Sequence, residues 1–158
     1  MHPKSSFFLQ LIVCISFTLI EIPVMFAQMT IPIESSSNAL VLQVDKENNI
    51  STVYFGKKLA NPAEYGQISM SYHQANDFSE MLNAAYTSSG SRNLMEPAIT
   101  VTHADGNNSL DLRYVDHTVE TMGDNVKLYT INLKDPVYPF MVRLFYKVFY
   151  KEDVVEQM

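Results

Sequence analysis

Four histidines and seventeen acidic side chains are the residues of this 158-residue chain best suited to chemistry. His2, His73, His103 and His117 are scattered, with no cysteine or paired carboxylate at ligand spacing, so the sequence offers no metal site. The acids sit mostly in polar turn segments, among them Asp45, Glu47, Asp105, Asp124, Asp135, Glu152 and Asp153, where solvation and turn capping are their ordinary work. There is no strained nucleophile turn, no Gly-rich phosphate loop and no zinc motif. Tyr65, Tyr72 and Tyr86 lie in an irregular stretch, where an aromatic ring can lie flat against a pyranose ring. Tyr54, Tyr114, Tyr129, Tyr146 and Tyr150 fall in apolar alternating runs and are expected in the core or at an interface.

The elements that position these residues are strands. Ala39–Val44 and Ile50–Phe55 alternate with period two around the polar turn Asp45–Asn49 and predict a hairpin, closed by Gly56-Lys57-Lys58. Ala98–His103 and Leu110–Val115 predict a second hairpin across Asp105-Gly106, since Asp-Gly supplies the positive φ of a tight turn. Thr118–Thr121 and Val126–Leu133 follow around Gly123-Asp124-Asn125. The corner Asp135-Pro136-Val137-Tyr138-Pro139 ends one strand and opens Phe140–Tyr150, whose two faces are both partly apolar. That predicts an internal strand covered on both sides. Lys151-Glu152-Asp153 turns the chain into a further apolar run at Val154-Val155, and the chain stops at Met158 in what reads as the start of a strand. Between Leu59 and Glu96 the pattern is irregular but rich in apolar residues. It predicts a packed excursion, with a short strand near 67–72 and a helical turn near 77–83. Strands with turn signals every eight to twelve residues indicate an all-β fold, an antiparallel β-sandwich.

Composition agrees with a globular domain: 47% hydrophobic, 18% charged, nine Phe and nine Tyr. The net charge of −6 and the lack of basic clusters argue against nucleic acid as a partner. Residues 1–27 read as a helical signal peptide, with Lys4 before the apolar run Phe7–Ile20 and a cleavage point after Ala27. The same run is also compatible with an uncleaved anchor. The only cysteine, Cys14, lies within it, so residues 28–158 contain no disulfide. A secreted or periplasmic bacterial protein is the expectation.

Several segments, in order, resemble the amino-terminal β-sandwich domain of glycoside hydrolase family 36, the α-galactosidases. They are Lys46–Leu59 with its Tyr54-Phe55-Gly56-Lys57-Lys58-Leu59 run, the Gly/Ser-rich loop Tyr86–Ile99 leading to Pro97-Ala98, and His103-Ala104-Asp105-Gly106. Leu110–Val115, Leu133–Pro136 and Tyr146–Gln157 complete the series. The resemblance implies a supersandwich-like fold and no cofactor. It also implies a whole enzyme that removes terminal α-linked galactose from oligosaccharides such as raffinose or melibiose, with retention and as a homo-oligomer. Such hydrolysis needs two carboxyls placed across the glycosidic bond. In the family both are aspartates of a central barrel that follows this domain, so the resemblance gives no residue here a catalytic role. This chain, taken as a domain truncated at its carboxyl end, is expected to be inactive alone. The family's sandwich supports the barrel and shapes the rim of the sugar pocket through its signature loop. The loop's acidic position corresponds to Asn93, an amide that can donate to and accept from sugar hydroxyls. Arg92, Glu96 and Tyr86 are its neighbours in substrate contact. A stand-alone secreted module that binds carbohydrate or protein is the alternative.

Overall fold

The computed structural model describes residues 28–68, 83–90 and 96–158. The expected signal helix and the expected strand and helical turn within 67–83 lie largely outside these residues. Among the described residues, seven strands make two antiparallel sheets. One holds β1 (Met29–Glu34), β2 (Asn38–Val44) and β3 (Ile50–Lys57) in that order. The other holds β4 (Arg113–Thr121), β5 (Val126–Lys134), β6 (Met141–Phe149) and β7 (Val154–Gln157). The all-β antiparallel sandwich expected from the sequence is the fold.

Period-two alternation builds the core. Ile31, Ile33, Leu42, Val44 and Ile50 from the first sheet meet Tyr129, Ile131, Leu133, Leu144, Tyr146 and Val148 from the second in one buried cluster. Burial pushes the Tyr146 hydroxyl pKa up to about 12. The far face of the first sheet has its own cluster of Ala39, Val41, Val53 and Tyr65. Tyr65 comes from a 3-10 helix, Pro62–Gln67, that the sequence pattern did not announce as an element. Its start was nevertheless encoded: the Asn61 side chain accepts from the Ala63 amide, and Pro62 opens the first turn.

Four expectations need correction. Gly56-Lys57 does not close the first hairpin; Gly56 pairs with Ala39, and β3 runs on to Lys57. Leu110–Val115 and Thr118–Thr121 do not begin two strands. They contribute to one, β4, with a register shift between Tyr114 and Asp116 that leaves Val115 unpaired as a bulge. Ala98–His103 forms no strand against Leu110–Val115. Side chains satisfy the local backbone instead: Asp105 accepts from the Asn107 amide at 3.0 Å and Asn107 from the Ser109 amide at 2.9 Å. Finally, β6 is internal, between β5 and β7, but only one of its faces is deeply buried. Leu144, Tyr146 and Val148 fill the core, whereas Arg143 and Met141 on the other face are exposed, Met141 by 57%.

Candidate functional site at the loop end of the sandwich

Three segments that the sequence keeps apart converge at one end of the sandwich: Tyr86–Gly90, Glu96–Leu110 and Asp135–Pro139. The first two are laced backbone to backbone. Ala98 N–H donates to the Thr87 carbonyl at 3.0 Å, Ser89 N–H to that of Ile99 at 3.1 Å, and Leu110 N–H to that of Ser89 at 3.0 Å. The Ser88 hydroxyl donates to the Leu110 carbonyl at 2.6 Å. Gly90 closes the lacing. Its φ is +78°, and a Cβ built on it would stand 2.5 Å from Ser109 Cα, so only glycine fits. Both ends of the signature loop are thereby fixed.

The third segment is set by Asp135. Its buried carboxylate accepts from the amides of Val137 and Tyr138, each at 2.8 Å, and from Asp111 at 2.9 Å. Burial alone would raise its pKa, but the N–H bonds from Tyr138, Asp111 and Val137 outweigh burial and hold it below the usual carboxylate range. The turn so fixed leaves Val137 79% exposed and presents Tyr138 to the loop 103–109. Tyr138 stacks on His103 with ring centres 3.5 Å apart and planes within 6°. Its hydroxyl donates to Asp105 at 2.9 Å and accepts from the Asn107 amide group at 2.9 Å. The Asn107 amide and then the Tyr138 hydroxyl hold the Asp105 carboxyl below its ordinary pKa, and the Asp105 bond in turn raises that of Tyr138.

Arg92 and Asn93 lie outside the described residues. Tyr86 is half-buried and packs against the main core cluster. Glu96 is exposed, and its carbonyl accepts from the Thr87 hydroxyl at 3.4 Å. Tyr65 is not available to a sugar. It is fully buried, donates to Glu34 at 2.9 Å and accepts from the Leu59 amide at 3.0 Å, because its ring plugs the outer face of the first sheet. Among the described residues no three His, Cys, Asp or Glu side chains are grouped to hold a metal ion. The sequence reading did not assemble Tyr138, Asp105, Asn107 and His103 into one cluster. The signal available was two turn motifs, His103-Ala104-Asp105-Gly106 and Asp135-Pro136, each followed within three residues by a polar side chain.

The fold is thus a two-sheet antiparallel sandwich with a laced, glycine-locked loop at one end. Residues 48–158 match the model of the glycosyl hydrolase family 36 N-terminal domain, and the chain belongs to that family. Its fold is that of solved α-galactosidases. One from Lactobacillus brevis superposes with a TM-score of 0.68 at 18% identity, over 84% of this chain and 21% of that one. A family 36 α-galactosidase variant from Geobacillus stearothermophilus, in complex with raffinose, gives 0.66 at 17% identity, over 82% and 21%. The galactosidase domain of an α-galactosidase-sucrose kinase gives 0.67 at 16%, over 81% and 21%. This chain spans about a fifth of the length of those structures. Comparison with curated proteins gave no match.

Proposed function

We propose that this sandwich serves a secreted, retaining α-galactosidase as the domain that supports its catalytic barrel and shapes the rim of its sugar pocket. The observation that carries the reading is the match over residues 48–158, which includes the whole laced loop end. In this reading the two carboxyls that cleave the glycosidic bond belong to the barrel, and the sandwich contributes shape and hydrogen bonds. The loop between Gly90 and Glu96 brings Asn93 to the sugar, where its amide donates to one hydroxyl and accepts from another. Arg92 adds a donor beside it. Tyr86 contributes from the loop's root, its ring held by the core it packs against. A homo-oligomer places this rim beside a neighbouring pocket, and residues 1–27 direct the protein out of the cytoplasm.

The test is domain replacement. The sandwich, grafted in place of its counterpart in a family 36 enzyme, should sustain raffinose hydrolysis, whereas the same enzyme lacking the domain should not. Binding of oligosaccharide by the isolated chain, with no support of a barrel, would favour a stand-alone module instead.

A further inference from the structure

We propose that Tyr138 is a positioning residue for the root of the signature loop, acting through Asp105 and Asn107 on Ser109 and so on the Ser89-Gly90 end. The inference rests on the reading that this loop approaches the sugar, but the contacts that carry it stand without any ligand.

The chain of contacts is continuous. Asp135 holds the Tyr138 amide at 2.8 Å, which fixes where the ring emerges. The ring stacks on His103, whose Nε2–H donates to the Ser109 carbonyl at 3.0 Å. The hydroxyl uses both its donor and an acceptor lone pair, on Asp105 and Asn107. Asn107 Oδ1 then takes the Ser109 amide at 2.9 Å. Ser109 lies under Gly90, so close that no side chain fits between them. Its neighbour Leu110 bonds the Ser89 carbonyl. A shift of Tyr138 is therefore passed to Ser109, and from Ser109 to the segment from which the loop departs. Rigid packing at Gly90 makes the transfer direct, because a glycine in contact with backbone leaves no slack.

Tyr138 is poorly suited to a purely structural role. It is only partly buried and lies outside both core clusters. What its hydroxyl organises is a surface loop with many of its own bonds. The charge-assisted bond to Asp105 is stronger than a neutral one and is directional, which suits a group that sets geometry.

Site-resolved amide hydrogen exchange on the full chain tests the proposal, comparing Tyr138→Phe and Asp105→Asn with the parent. Tyr138→Phe keeps the ring and its stack and removes only the hydroxyl. Exchange at Ser89 and Leu110 should rise roughly two- to twelvefold, the factor expected for one lost hydrogen bond. Exchange at Ile131 and Leu144 in the core should stay unchanged. Asp105→Asn leaves one oxygen for two donors, the Asn107 amide and the Tyr138 hydroxyl, and should raise exchange at the same amides. It also decides the matter if Tyr138→Phe fails to fold, since Asp105 is exposed. Unchanged exchange at Ser89 and Leu110, or an equal rise in the core amides, would overturn the proposal. None of these outcomes depends on sugar, so failure of the substrate reading for Asn93 would be seen separately, in kinetics.

Discussion

The Asp153 carboxylate accepts a hydrogen bond from the Ser35 hydroxyl at 2.7 Å, joining positions 118 residues apart. It also takes the Ser37 amide and hydroxyl, each at 2.7 Å, so the β6–β7 turn of one sheet grips the β1–β2 turn of the other. The Ser36 amide adds a bond to the Tyr150 carbonyl at 3.0 Å. Ser35 first, then the Ser37 amide and hydroxyl, hold the Asp153 carboxyl well below the ordinary carboxylate range. A depressed folded pKa stabilises the fold above the unfolded value, about 3.9, and the benefit is lost as pH falls through the folded one. Asp135, lowered for its own reasons, titrates in the same direction. The thermal midpoint should therefore drop as pH falls below about 4. Asp153→Asn should lower it at neutral pH and flatten the acid limb. An acid limb of equal steepness in the variant would show that Asp153 does not couple the sheets.

Gly90→Ala should be far worse than Gly106→Ala. Both glycines have positive φ, +78° and +84°, and both substitutions carry backbone strain of about 1–2 kcal/mol. Only at Gly90 does the new methyl meet backbone, at 2.5 Å from Ser109 Cα, whereas Gly106 has nothing within 4 Å. Chemical denaturation of the two variants checks the order, and equal losses would contradict the lacing described.

Tyr65→Phe should cost about 1–3 kcal/mol although it removes a single oxygen, because the partly buried Leu59 amide and Glu34 both lose a partner. Lys58, 2.9 Å from Glu34, has its pKa raised first by the Glu34 hydrogen bond and keeps that carboxylate partly paired. A neutral substitution, measured by urea unfolding, would mean that water replaces the hydroxyl.

Asn93→Ala, in the domain-replaced enzyme, should lower kcat/KM about two- to twelvefold with little change in stability. That is the effect of one neutral hydrogen bond, about 0.5–1.5 kcal/mol. Unchanged kinetics would remove Asn93 from the site, and a large loss of stability would make it a turn-capping residue.

Strands whose two faces differ in polarity were legible in the sequence. β2, β3, β5 and β6 sit within a residue or two of where alternation puts them, because each buries one face in the shared core. Residues 98–115 were not. There Asp105, Asn107 and Ser89 side chains take backbone partners that a ladder would otherwise use, and no periodicity records that competition. The loop-end cluster was half legible. Asp135-Pro136 announces a rigid corner, but the meeting of Tyr138 with Asp105 is a tertiary fact, set by where the second sheet delivers that corner. The 3-10 helix was missed for a related reason: six residues are too short for a period, and only Asn61-Pro62 marks its start.

We infer that this sandwich serves an α-galactosidase barrel and does no chemistry itself. The most direct measurement is release of nitrophenol from nitrophenyl α-galactoside by three preparations: this chain alone, a family 36 barrel without its amino-terminal domain, and that barrel fused to this chain. No activity is expected from the first, little or none from the second and hydrolysis from the third. Hydrolysis by the chain alone, or a fusion no more active than the bare barrel, would contradict this inference.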